Sequence, residues 1–302
     1  MLNVILNNCV ITNSTSSHIE NITARLARHK WSAAVDLPVC IFYLIASVVL
    51  SAVDIFCAKI ILNESSLKKS PYFRIVLSIT VSNIVQILFN STAGGVFTLM
   101  GAYDQRWTFW VNSTSSAFLG LGWSACTAGT HLMALNRFVH VYWPEKIPVL
   151  FSHVRTTFYI ICVWSIGLVW FGVLMHPLVN LLYNLDTYSF LYEKNSSSDI
   201  VLIAHTSFNV VNVIGMAIWY CLIYKKIRRQ VQSMHDKNVS KDTRREMKIL
   251  IQSVYLCSIV TITIITFNLC QYISMPWYCS FGANVIWLFG ASSDALVLIF
   301  MN

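Results

Sequence analysis

The stretch HLMALNRFVHVYWP, His131 to Pro144, sets one arginine at the end of a long uncharged run and a proline seven residues beyond it. The thirty residues from Trp107 to Asn136 contain no Asp, Glu, Lys or Arg. As a helix rising 1.5 Å per residue, that run covers about 45 Å, enough to cross a hydrocarbon core of roughly 30 Å with tilt to spare. Arg137 then falls at the membrane boundary, and Pro144 stops regular helix just past it. An arginine there ordinarily snorkels, its stem in lipid and its head in water. Whether Arg137 does more depends on the rest of the chain.

Composition makes the rest membrane as well. Of 302 residues, 56% are hydrophobic and 11% charged, with mean hydropathy +0.61; a soluble domain carries about 25% charge. Nine cysteines are scattered without CxxC or zinc-type spacing. Seven of them sit in apolar runs, where a small buried thiol is the default. No metal site and no cofactor are expected. The start, MLNVILNNCVITNSTSS, has neither a basic n-region nor a long apolar core, so the first span is expected to act as the insertion signal.

Read outward from residue 137, the chain divides into a polar segment 1–32, expected to be extracellular, and a seven-span domain 33–302. The spans are expected at about 33–62, 72–101, 113–143, 155–177, 200–225, 247–274 and 278–301. The last two come from 45 uncharged residues, Ile249 to Ser293. One helix of that length would run about 67 Å, so the break is placed at Met275-Pro276-Trp277. Only 225–248 is strongly charged, with nine basic and three acidic residues. It reads as a solvated cytosolic face.

Charge also sets the orientation. With the N-terminus outside, 16 of the 21 basic residues fall on cytosolic ends and loops, as the positive-inside rule requires. The fold class is therefore an all-α integral membrane protein, a seven-transmembrane helix bundle with its N-terminus outside and its C-terminus in the cytosol. The net charge of +8 marks orientation rather than nucleic-acid binding. Sequons at Asn13, Asn21, Asn112 and Asn195 fall outside and are candidate glycosylation sites.

Asn136-Arg137-Phe138, Val141 and Pro144 match the spacing of the DRYxxVxxP signature of rhodopsin-like G-protein-coupled receptors, with Asn for Asp and Phe for Tyr. More narrowly, ALNRFVHVYWPEKIPVLFS resembles the third-helix end of nematode serpentine chemoreceptors, with class X as the nearest subclass. EMKILIQ (Glu246 to Gln252) and the closing Asp294-Ala-Leu…Phe300-Met-Asn302 resemble that class more weakly. The resemblance implies a plasma-membrane receptor, in sensory-neuron cilia, for a small environmental or pheromone-like molecule. Its partner would be a heterotrimeric G protein. Arg137 would lie against the cytosolic ends of the fifth and sixth helices at rest, and those ends would open around it on activation. Asn136 removes the acid that commonly restrains such an arginine; Glu246 is the candidate replacement, against a solvated ion pair as the plain alternative.

Asp54 and Asp294 are the only acids deep in apolar runs, and Asn83 lies mid-span. A charge there costs roughly 2.5–3.5 kcal/mol even on insertion scales. A shared polar cluster of the three is the functional reading; an Asp54 turned to the interface and a protonated Asp294 are the plain one. The ligand would sit in the outer halves of the helices, with His205, Asn209, Asn268, Gln271, Asn284 and Trp287 as candidates by depth. Each also suits ordinary interhelical hydrogen bonding.

The seventh span has no lysine for a retinal Schiff base, and the third has no acid for an amine. Where the resemblance would put a disulfide cysteine, about 25 residues before Arg137, stands Asn112, and residues 180–199 hold no cysteine. The second outer loop is thus expected to lack its usual staple, while Cys9 and Cys279 are both expected outside and able to pair. A transporter or ligand-gated channel subunit is the competing class. The odd span count, the orientation and the Arg137/Pro144 pair argue against it, and no internal repeat supports it. No enzyme is expected, since no zinc-spaced His pair, nucleophile elbow or phosphate loop appears.

Overall fold

The computed structural model describes residues 31–101, 106–233 and 241–301; the side chains of 106–108, 230–250, 252, 253, 294 and 296–301 lie outside that description. So do Asn13, Asn21, Cys9 and nearly all of the 1–32 segment, together with the side chains of Glu246 and Asp294.

Seven long helices carry the described chain: α1 (Asp36–Asn63), α2 (Pro71–Met100), α3 (Arg106–Tyr142), α4 (His153–Leu174), α5 (Ser196–Ser233), α6 (Lys241–Tyr272) and α7 (Trp277–Met301). Among the described residues, α1, α2, α4, Ser196–Arg229 of α5 and Val254–Tyr272 of α6 are long and apolar enough to cross a membrane. α4 shows what surrounds the bundle: Val154, Phe158, Ile161, Leu168 and Val169 are all more than half exposed. A helix face of that kind suits lipid rather than water.

Local chemistry sets the boundaries. Pro71 opens α2 at its first turn, where its missing N–H is not needed. Gly101, at φ 69°, closes α2 with its N–H on the Phe97 carbonyl. Ser152 caps α4 by accepting from the Arg155 N–H, and the Asn195 side chain accepts from the Ser198 N–H at the start of α5. Pro276 stands between the end of α6 and the start of α7. Both α3 and α5 are longer than expected, starting at Arg106 rather than 113 and running to Ser233 rather than 225.

α3 is the central post. From Ser115 to Thr130 every residue but Phe118 is buried, and its small residues let neighbours approach on two sides. A Cβ on Gly122 would stand 2.9 Å from the Ser82 carbonyl oxygen of α2. On the other side, a Cβ on Gly167 of α4 would stand 2.8 Å from the Leu121 carbonyl oxygen of α3.

Two features fall outside a plain seven-helix reading. In α2, Leu88–Thr92 forms a π-helical turn, the kind of extra-residue bulge that recurs at functional sites. Between α4 and α5, where a polar loop is expected, strands β1 (Leu181–Asn184) and β2 (Ser189–Tyr192) pair antiparallel as a hairpin. The all-α reading is corrected to that extent. Leu-Leu-Tyr and Ser-Phe-Leu-Tyr have β-forming composition, but an isolated hairpin is marginal in water. Burial stabilises this one: Tyr183 is fully buried, and Phe190 nearly so.

Candidate functional site

The cytosolic site forms where α3 ends. Arg137 points its guanidinium over the Tyr72 ring at the start of α2, 3.5 Å from the centroid, a cation–π contact worth about 0.5–2 kcal/mol. That described contact is with α2, where the resemblance implied α5 and α6, whose cytosolic side chains at 230–250, 252 and 253 lie outside the described residues. Its buried Nε has no hydrogen-bond partner, and among the described residues no carboxylate pairs with it. Asn136 and Phe138 are buried beside it. Phe138 is wrapped by Tyr142, Trp143 and Trp219, with ring centroids 4.6, 5.5 and 4.8 Å away.

A second cation closes the same corner. Lys226 of α5 donates from Nζ to the carbonyls of Val141 (2.6 Å) and Tyr142 (3.3 Å), and lies 4.7 Å from the Tyr142 ring centroid. The last carbonyls of a helix lack internal donors and carry the negative end of its dipole, so a lysine there is stabilising. The Tyr142 hydroxyl reciprocates by donating to the Leu222 carbonyl at 3.0 Å. Pro144 begins a single 3-10 turn, Pro144–Lys146, that leads the chain away.

In the middle of the bundle, neutral groups link five helices. Gln86 of α2 donates to the Asn83 side chain at 3.3 Å and accepts from the Trp287 indole N–H of α7 at 2.9 Å. Trp287 meets Trp123 of α3 edge to face at 5.0 Å and Phe267 of α6 at 5.2 Å. The Trp123 indole in turn donates to Asn209 of α5 at 3.0 Å. Asp54 is fully buried and accepts from Ser292 of α7 at 3.1 Å. The structure thus links Asp54 to α7 and Asn83 to Gln86.

The outer half is occupied by the hairpin. Asn112 is fully buried; its amide oxygen accepts from the Tyr183 N–H at 2.9 Å, and its nitrogen donates to the Tyr183 carbonyl at 3.2 Å. That overturns the glycosylation expectation at Asn112, since a buried amide with both ends engaged leaves no place for a glycan. The second outer loop is fastened here by a pair of hydrogen bonds, where the resemblance would put a disulfide. Asn195 is partly buried, with its side-chain oxygen engaged in the α5 cap.

Other helices grip the hairpin too. Gln271 of α6 accepts from the Tyr192 N–H at 2.9 Å and donates to the Phe190 carbonyl at 3.1 Å. His205 of α5 faces the Tyr192 hydroxyl across 3.1 Å and lies tilted against the Trp170 ring, 4.7 Å between centroids. The Tyr183 hydroxyl meets Thr98 at 2.7 Å, and the Tyr188 hydroxyl donates to Asp36 at 2.9 Å. Burial, then the bond to Asp36 and the charges of Asp36 and Asp186, push the Tyr188 phenol above its ordinary pKa.

Of the six ligand candidates, Gln271 and His205 therefore hold the hairpin, and Asn209 holds Trp123. Asn268 accepts from Thr206 at 2.6 Å. Asn284 exchanges two 3.0 Å bonds with Asn90 in the π-turn and donates to the Tyr43 hydroxyl at 2.7 Å. Asn284 and Trp287 also line, with Phe190 and Phe267, a cavity of about 10 Å³, no more than a water's worth of space. Sequence reasoning missed Tyr72, Gln86, Trp123 and Lys226. Lys226 was hidden in a basic run, and the other three lie in apolar stretches whose pairings depend on helix packing.

A seven-helix bundle around a central third helix, with an aromatic–cation knot at that helix's cytosolic end, defines a multi-pass membrane protein of the serpentine receptor class. The family model described as serpentine type 7TM GPCR chemoreceptor Srt matches residues 16–302, and the chain belongs to that family. This replaces the class X assignment with Srt and leaves the wider reading of a non-enzymatic G-protein-coupled chemoreceptor in place. No curated protein matches the chain.

Proposed function

We propose that this chain is a chemosensory receptor in the plasma membrane of sensory neurons. It binds a small environmental or pheromone-like molecule in the outer half of the bundle and signals to a heterotrimeric G protein. The observation that supports the cytosolic half of this reading is Arg137, a cation at the end of α3 whose described contact is an aromatic face on α2 rather than an acid. A cation–π contact is weak enough to exchange. Activation moves α5 and α6 outward, breaks the Lys226 clasp on Val141 and Tyr142, and frees Arg137 to line the G-protein cavity with Phe138, Val141 and Pro144. Glu246 on α6 is positioned in sequence to take part. Asp54, Asn83 and Asp294 remain the proposed polar cluster that biases the two states.

A screen of small volatile and water-soluble metabolites, read with a promiscuous Gα reporter, tests the reading. A hit should drive nucleotide exchange in the wild type and none in Arg137→Ala at equal surface expression. Exchange unchanged in that variant would remove Arg137 from the mechanism.

A further inference from the structure

Between α5 and α6, in the cytosolic half of the bundle, lies a groove of about 630 Å³. Ala217, Cys221 and Tyr224 form one wall and Val254, Ser258 and Ile262 the other, with Tyr220 also lining it. Tyr220 is buried; the six wall residues are exposed toward the surrounding lipid. Its two aliphatic hydroxyls are turned back on their own helix: Ser258 donates to the Val254 carbonyl at 2.9 Å and Thr261 to the Cys257 carbonyl at 2.8 Å. With Val213, Ala217, Val254 and Ile262 among its lining residues, the groove is mainly apolar and of the volume usual for small-molecule sites, about 300–1,000 Å³.

What fills it follows from the next turn of α5. The wall positions 217, 221 and 224 continue at helical spacing to Lys225 and Arg228, both exposed. Arg228 lies about 6 Å along the axis beyond Tyr224, at 1.5 Å per residue. A slot at acyl-chain depth thus ends at two cations at headgroup depth. Detergent-like or neutral lipid tails fit the slot alone. A lipid with an anionic headgroup fits the slot and the cations together.

We infer that this groove is a binding site for an anionic phospholipid of the cytosolic leaflet, its acyl chain between α5 and α6 and its phosphate at Lys225 and Arg228. The site is separate from the outer half of the bundle and does not depend on which ligand acts there. A lipid wedged here touches both helices that border the cytosolic opening.

The test uses the full chain in nanodiscs of phosphatidylcholine, doped at equal mole fraction with a photoactivatable acyl-diazirine phosphatidylserine or phosphatidylcholine. Adducts are mapped by peptide mass spectrometry. Phosphatidylserine adducts on 213–224 and 254–262 should exceed phosphatidylcholine adducts, by about fivefold for each basic residue that engages the headgroup. Lys225→Gln with Arg228→Gln should bring the serine-lipid signal down to the choline-lipid level, and Ala217→Trp should reduce both by filling the slot. Equal labelling by the two lipids in the wild type would reduce the groove to ordinary boundary lipid and overturn the site, with no variant needed. A serine-lipid excess that survives the double substitution would overturn the role of Lys225 and Arg228.

Discussion

The ammonium of Lys226 sits 2.6 Å from the carbonyl oxygen of Val141, so a cation from the fifth helix caps the end of the third. The two residues are 85 apart in sequence, and the bond fastens the helix bearing Arg137 to one proposed to move. A clasp of that kind is worth roughly 0.3–1 kcal/mol, and up to about 2 when partly buried.

Replacing that cation should loosen the resting state. Lys226→Met is expected to raise ligand-independent nucleotide exchange about two- to fivefold, as a shift of up to ~1 kcal/mol implies. Lys226→Arg, which retains the charge, should stay nearer wild type. Matching basal rates for Met and wild type would show the clasp to be idle.

Tyr72 offers a separate handle on the same corner. Tyr72→Phe keeps a ring under Arg137, whereas Tyr72→Leu removes a contact of about 0.5–2 kcal/mol. Basal exchange should rise in Tyr72→Leu only. If the two variants behave alike, the ring face is not what holds Arg137.

Gln86 and Trp287 should be energetically coupled. In a double-mutant cycle of Gln86→Leu and Trp287→Phe, thermal melting in detergent should report an interaction of about 1 kcal/mol. Strict additivity would mean that the 2.9 Å bond contributes nothing.

Gln271 holds the hairpin by two backbone bonds, and Cys270 beside it lines the small outer cavity. With Cys9 and Cys279 changed to serine, Gln271→Ala should speed modification of Cys270 by a membrane-impermeant thiol reagent about tenfold or more, given roughly 1 kcal/mol for each lost bond. An unchanged rate would show that the hairpin stays seated without the glutamine.

Asn112→Gln should leave the glycan mass removed by enzymatic deglycosylation unchanged. Asn112→Ala should instead lower stability by about 2 kcal/mol, because two buried backbone groups of Tyr183 lose their partner. A lost glycan in Asn112→Gln would contradict the burial of this side chain.

The membrane class and the helical bundle were legible because they rest on what is missing. Thirty uncharged residues before Arg137 admit few alternatives to a crossing, and the positive-inside bias orients the whole. The hairpin was not legible. Residues 180–192 alternate poorly, and their strands exist because six helices supply partners that no local pattern announces. That a cation, Arg137, stands near the end of α3 can be read from the sequence, but its neighbour Tyr72 cannot. The contact with Tyr72 is made by packing between segments 65 residues apart. Asn112 shows the opposite failure, where a sequon records two amino acids and a spacing but says nothing of exposure. Depth alone picked the six outer polar residues, and depth cannot distinguish a side chain that greets a ligand from one that fastens a strand.

The π-turn at Leu88–Thr92 carries its own consequence for comparing this chain with its kin. One surplus residue rotates everything after it by about 100° relative to an unbroken helix, which is how Phe97 and Thr98 come to face inward. A relative without the bulge would present a different set of residues from the outer third of its second helix. Column-by-column alignment across that segment would then pair inward side chains with lipid-facing ones, until a single-residue gap is placed at the turn.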